Sequence, residues 1–325
     1  MKCRAIVLCG IAAAGVLSVS AGIERREFKG GSTDIPAEWK GRSVRLEQRI
    51  AFCELDATVN GKAAGTAYAP DATVELAPFL KFGAANDIAV SERVAADYFG
   101  RGDGPFGNKD NRRRLGKMEL VARSSAYVDD FFARPSWREK KLTVDVEIES
   151  LASCKGEVEV VVSDEPNGPA VVKGSAKCAL EKGSNVVTVE IPWANPIPWE
   201  PVAHAKTYDC RVTLVADGRP CDSNRPRARF GFREIWREGK DIYLNGHIQR
   251  FRNFWFQGLP KDPNDVHKYG FNVSYEAHKH WAYWFEKEGD MEARSKAGIA
   301  VFTGMPGKVG MFARLCLEEP YITSD

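Results

Sequence analysis

Leu142-Thr143-Val144-Asp145-Val146-Glu147-Ile148 alternates apolar and polar residues without a break. Successive strand side chains point to opposite faces, so this stretch reads as a strand with one buried side. Residues 158–162, 186–191 and 210–215 are its expected companions. Trp193-Ala194-Asn195-Pro196-Ile197-Pro198-Trp199-Glu200-Pro201 lies among them but cannot be a central strand, because proline donates no ladder hydrogen bond. A β region of about 110 residues suits an immunoglobulin-like sandwich, and its bounds are set at 127–237.

Toward the N-terminus the signal stays β. Val44-Arg45-Leu46-Glu47-Gln48-Arg49-Ile50 alternates as well, and Ala57-Thr58-Val59 runs into Asn60-Gly61, a strong hairpin signal. Residues 72–76, 87–90 and 120–122 are further short strands, with 83–86 as a turn. Residues 99–114, rich in Gly, Asp, Asn and Arg, read as an exposed loop. Residues 22–126 are thus a second β-sandwich unit.

After Asn245-Gly246 the pattern changes. Residues 250–257 read as a strand, 263–269 as a short helix, 271–275 as a strand, 286–297 as a helix with Gly298 as its C-cap, and 299–302 as a third strand. Strands alternating with helices imply a parallel sheet. Three strands do not close an eight-stranded barrel, so 238–325 is expected to be an incomplete one. Such a piece should be digested quickly by proteases while 127–237 survives.

The chain has 325 residues, with 46 Lys+Arg against 44 Asp+Glu and a formal net charge of +2. That balance gives no bulk electrostatic reason to bind nucleic acid. Lys2 and Arg4, an apolar run from Ala5 to Val19, and small residues at Val19-Ser20-Ala21 read as a signal peptide over 1–21. Its run of about 15 residues falls short of the roughly 20 of a membrane span. The expectation is an exported protein with no membrane span after cleavage. Six cysteines then remain: Cys53, Cys154, Cys178, Cys210, Cys221 and Cys316. They form no CxxC pair, which argues against zinc. Export permits disulfides, but bridges and buried free thiols are both open, as is the pairing.

Three sets of residues carry a resemblance. The first is Ile35-Pro36-Ala37-Glu38-Trp39-Lys40-Gly41, then Ala57-Thr58-Val59-Asn60-Gly61-Lys62 and Ala84-Ala85-Asn86-Asp87-Ile88-Ala89-Val90. The second is Pro198-Trp199-Glu200-Pro201, Tyr208 and Arg229-Phe230-Gly231-Phe232-Arg233-Glu234-Ile235. The third is Tyr243-Leu244-Asn245-Gly246 and Tyr269-Gly270-Phe271-Asn272-Val273. In this order the chain resembles glycoside hydrolase family 2, the β-galactosidases, β-mannosidases and β-glucuronidases, as an N-terminal fragment. The resemblance implies a mainly β protein: a jelly-roll-like β-sandwich, an immunoglobulin-like β-sandwich, and the truncated start of a (β/α)8 barrel. The jelly roll looks partial, because about a dozen residues separate the signal from Ile35.

The resemblance also implies chemistry. Retaining glycosidases use two carboxylates about 5–5.5 Å apart, one as acid/base and one as nucleophile. In the family these follow the fourth and seventh barrel strands, which this chain does not reach. Glu318-Glu319-Pro320 lacks the preceding Asn and reads as a loop. No catalytic residue, metal ligand or cofactor is therefore nominated. Barrel enzymes place functional residues at the C-terminal ends of strands. There the resemblance offers His278, at family spacing from Asn272, and Arg252, Trp255 and Gln257 from the first strand, as sugar contacts. Trp255 could stack on a pyranose face. Tyr275 stands where the family has an arginine. Trp281, Tyr283 and Trp284 would be a sugar platform if exposed and core if buried. Asn272-Val273-Ser274 is a formal glycosylation sequon in an expected buried strand and is discounted. The expected partner is a β-linked carbohydrate, the oligomeric state is undetermined, and the function is hydrolysis of O-glycosyl bonds by the complete relative. The alternative is a non-catalytic carbohydrate-binding or partner-docking β-sandwich protein.

Overall fold

The computed structural model describes residues 2–4, 22–49, 53–68, 71–94, 117–201, 204–254, 265–276, 295–303 and 321–322. The chain divides into two compact units at residues 127/128.

Among the described residues the N-terminal unit holds eight strands: β1 (Glu24–Glu27), β2 (Gly31–Ile35), β3 (Ser43–Arg49), β4 (Cys53–Val59), β5 (Lys62–Tyr68), β6 (Asp71–Glu75), β7 (Ala84–Val94) and β8 (Glu119–Arg123). They form two four-stranded sheets, β1-β8-β3-β6 and β2-β7-β4-β5. Val44 and Leu46 of one sheet and Leu55, Ala57 and Val59 of the other alternate inward and join one core with Trp39 and Ile88. The expected hairpin at Asn60-Gly61 is present: both residues have positive φ, 51° and 76°, and Val59 faces Lys62. Such a turn matches the twist of the strands it joins.

β1 and β2 occupy the interval in which the sequence left no strand. The reason is physical. Glu24-Arg25-Arg26-Glu27 has no apolar alternation and is an edge strand, held by its ladder to β8 and by ion pairs such as Arg25–Glu119 at 3.0 Å. Its Glu24 carboxylate accepts the indole N–H of the fully buried Trp39 at 3.0 Å and also contacts Arg42.

The second unit opens with a sandwich. One sheet contains β9 (Ala126–Ser136), β10 (Lys141–Ser150) and β13 (Gly183–Pro192); residues Lys2–Arg4 pair parallel with β13 at its edge. The other contains β11 (Cys154–Ser163), β12 (Ala170–Leu180), β14 (Tyr208–Ala216) and β15 (Arg227–Phe230). Val144, Val146 and Ile148 from one sheet and Val158, Val160 and Val162 from the other are wholly buried, as the alternation requires. At one end Trp193 packs edge-on against Tyr208 (4.8 Å) and Phe232 (5.0 Å). The Tyr208 hydroxyl accepts the Ile197 N–H at 3.1 Å. The proline-rich loop is thereby pinned, with only Trp199–Glu200 and His204–Ala205 pairing as a two-residue ladder. Cys154, Cys178, Cys210 and Cys221 stand as thiols rather than half-cystines.

A meander follows: β16 (Glu234–Glu238), β17 (Asp241–Leu244) and β18 (His247–Gln249). Then β19 (Asn253–Phe254), β20 (Val273–Glu276) and β21 (Ala300–Thr303) form a three-stranded parallel sheet in that order. A short helix, α1 (Asp265–Lys268), lies between the first two. Gly298, at φ 73°, closes the turn before β21, with its N–H donated to Ser295 O, as the expected cap glycine should. The expected helix over 286–297 lies mostly outside the described residues. No helix among the described residues is long and apolar enough to cross a membrane.

Candidate functional site

The family-like motifs converge on a joint between the sandwich and the strands after it. Phe230 and Phe232 end the sandwich in its aromatic cluster. Between them a Cβ on Gly231 would lie 2.9 Å from both Lys206 O and Trp199 Cβ, so only glycine admits that approach. Arg233 is buried and stacks on Trp199 at 4.7 Å. The Trp199 indole donates to Ser295 O at 2.7 Å, beyond the meander.

Glu234 is the motif's carboxylate and is 2% exposed. Its Oε1 accepts Arg138 Nε–H at 2.8 Å; its Oε2 accepts Arg138 N–H at 2.9 Å and the Ser136 hydroxyl at 3.2 Å. Both oxygens are thus committed to the 136–138 turn. Asn245, at φ 49° in the meander turn, completes the joint. Its Oδ1 accepts the Glu234 N–H at 2.9 Å, and its Nδ2 donates to Trp199 O (2.9 Å) and Phe232 O (2.6 Å). These contacts help satisfy buried backbone groups of the joint, Phe232 O also accepting the Trp199 N–H at 3.0 Å. The joint explains why these residue types stand in this order, and the explanation is structural.

The parallel sheet is located in the same manner. Asn272 Oδ1 accepts the Arg252 N–H at 2.8 Å, and Asn272 Nδ2 donates to Arg250 O at 3.2 Å. Val273 beside it is fully buried. Asn272 itself is half-buried and stands just before β20, not inside the buried strand on which the sequon was discounted. The ring nitrogens of His267 face the carbonyl oxygens of Phe271 (3.0 Å) and Ala297 (2.5 Å), tying α1 to the lead-in of β20 and to the turn before β21.

Of the four sugar-contact candidates, His278, Trp255 and Gln257 lie outside the described residues, as do Trp281, Tyr283, Trp284 and Glu318-Glu319-Pro320. In chain order Trp255 directly follows β19 and His278 comes two residues after β20, beyond the C-terminal ends of those strands. Arg252 is exposed and sits at the opposite, N-terminal end of β19, its guanidinium beside Gly270. Among the described residues no group of three or more His, Cys, Asp or Glu is placed to hold a metal ion. The structural joint was missed by sequence reasoning as a joint; its signal was the clustering of Trp, Asn and Glu at turns flanked by strands.

The family description "Glycosyl hydrolases family 2" matches residues 126–233. No curated protein matches the chain. Among solved structures, a Bacteroides fragilis protein assigned as a β-galactosidase superposes with a TM-score of 0.63 at 18% identity, over 91% of this chain and 50% of its own. Bacteroides uniformis β-glucuronidase gives 0.60 at 17% identity, over 92% and 40%. Dictyoglomus thermophilum β-D-mannosidase gives 0.59 at 15% identity, over 91% and 42%. The chain spans half or less of the length of these structures, and at such identities they show its fold. The sandwich from 126 to 233 thus matches the glycosyl hydrolases family 2 model, and the solved structures share its fold.

Proposed function

We propose that the chain is the N-terminal, non-catalytic portion of an exported family 2 β-glycosidase, and that its parallel strands begin the (β/α)8 barrel of the whole enzyme. The observation that carries this reading is continuity. The family-matched sandwich runs through a buried joint straight into three parallel strands, the arrangement a barrel start requires. The whole protein would hydrolyse terminal β-glycosidic bonds of oligosaccharides or polysaccharides. Its acid/base and nucleophile would come from strands outside this chain, with His278, Trp255 and Gln257 contributing sugar contacts at the strand ends. Arg252, at the other end of its strand, is the weakest of the four contacts on this argument.

Two measurements test the reading. Purified chain is offered chromogenic β-galactoside, β-mannoside and β-glucuronide; no turnover is expected, and turnover abolished by a substitution within the chain contradicts it. Sequencing the transcript past codon 325 should then find an open frame with further βα units and an Asn-Glu pair. A stop codon followed by unrelated sequence would leave the binding-module alternative as the better account.

A further inference from the structure

Asn-Gly occurs three times in the chain, at 60–61, 167–168 and 245–246. The pair can modify itself, because the glycine nitrogen, unshielded by a side chain, can attack the carboxamide carbon before it. What holds that carboxamide decides whether it does. Asn60 is half-buried; its Nδ2 donates to Asn86 Oδ1 (2.9 Å) and Phe79 O (3.3 Å), and its Oδ1 accepts the Asp87 N–H at 3.1 Å. Asn245 is 2% exposed and makes the three bonds of the joint. Asn167 differs from both. It is exposed in the loop between β11 and β12, at φ 63°. Its one side-chain hydrogen bond among the described residues runs from Arg227 Nη2–H to Asn167 Oδ1, at 2.9 Å. Gly168 N–H donates to Glu165 O at 2.9 Å, but that oxygen also accepts the Ser163 hydroxyl at 2.8 Å. Glu165 O therefore stays paired when the Gly168 nitrogen turns away from it.

We propose that Asn167 is a site of spontaneous deamidation in the folded protein, closed on by Gly168 and assisted by Arg227. The Gly168 nitrogen gives its proton to water or hydroxide and bonds to Asn167 Cγ. The Arg227 guanidinium stabilises the negative charge that gathers on Oδ1, as a charged donor does at a developing oxyanion. The bond from Cγ to Nδ2 then breaks, ammonia leaves with a proton from solvent, and a five-membered succinimide remains. Water opens this ring at one of its two carbonyl carbons and breaks that carbon's bond to the Gly168 nitrogen, giving aspartate or isoaspartate. In sum the amide and one water become a carboxylate and an ammonium ion, and no oxidant or reductant takes part. The product sets a carboxylate against Arg227, beside the pair that Arg229 Nη2 makes with Glu165 at 2.5 Å. A neutral hydrogen bond between the loop and β15 thereby becomes a charged one.

The test needs neither export nor glycosidase activity. The full chain is held for weeks at neutral and mildly alkaline pH, with and without urea, and sampled by peptide mapping with fragmentation that separates aspartate from isoaspartate. In the folded chain the mass gain of NH2 replaced by OH should appear first at 167, while 60 and 245 keep their amides. In urea the three sites should converge, because the same dipeptide is then equally free at each. Arg227→Gln should slow the reaction at 167 by about fivefold in the folded chain, the value of one hydrogen bond, and leave the rate in urea unchanged. Position 167 keeping its amide in the folded chain, or 60 or 245 reacting as fast as 167 there, overturns the assignment of the site. An Arg227→Gln chain that reacts as fast as wild type overturns the assistance. If Arg227→Gln does not fold, the wild-type comparison between buffer and urea decides alone.

Discussion

Val144, Val146 and Ile148 lie wholly buried along one ten-residue strand of the sandwich, whereas β19, β20 and β21, of two to four residues, are located by His267 and Asn272 bonding to the backbone that flanks them. The two regions of one unit are held by different means. Long ladders with buried faces draw on the hydrophobic effect, which adds up with area. Short strands cannot do so and depend on individual hydrogen bonds, each worth about 0.5–1.5 kcal/mol net. The comparison teaches that the motifs between Phe230 and Asn272 serve mainly to pass the chain from one regime to the other.

The largest effect should come from the first regime. Ile148→Ala, at a fully buried site, is expected to cost about 3 kcal/mol. It should lower the denaturation midpoint of the sandwich and of everything fastened to it. A loss confined to residues after 234 would break the comparison. A smaller, local effect is expected from Asn272→Ala, about 0.5–1.5 kcal/mol, as the Arg252 N–H and Arg250 O exchange the carboxamide for water. Trypsin should then cut sooner after residue 250 while the fragment from 126 to 233 survives; an unchanged cleavage pattern would mean the carboxamide does not hold the strand.

The smallest effect belongs to the N-terminal unit. The indole of Trp39, with help from Arg42, holds the Glu24 carboxyl below its ordinary 4.5 against the opposing effect of burial. A carboxyl depressed in the folded state adds stability above its unfolded pKa and loses it as pH falls through the lower folded value. Wild type should therefore exceed Glu24→Gln by well under about 1 kcal/mol at neutral pH, since the pair is part-exposed. The gap should close below pH 4.5. A gap that widens in acid would reverse the sign.

The legibility of the sequence follows the same division. Strands with a buried face were readable residue by residue: 142–148 lies within Lys141–Ser150 and 210–215 within Tyr208–Ala216. Gly298 and Asn60-Gly61 were readable because positive φ selects few residue types. Glu24–Glu27 was not, since an edge strand of four charged residues carries no period to detect. The joint was legible only as a resemblance, because Glu234, Asn245 and Trp199 meet across 46 residues of chain and their spacing alone does not imply contact.

Native-state hydrogen exchange on wild type and on Glu234→Ala tests whether the motif at 230–235 is a weld rather than a working site. Removing one partner of a buried ion pair costs about 3–5 kcal/mol, here reduced by the part-exposed Arg138. For a weld, protection should collapse in Glu234–Glu238, Asp241–Leu244 and Val273–Glu276 while Lys141–Ser150 and Cys154–Ser163 keep theirs. Unchanged protection throughout, or loss of equal size in the sandwich strands, would contradict it.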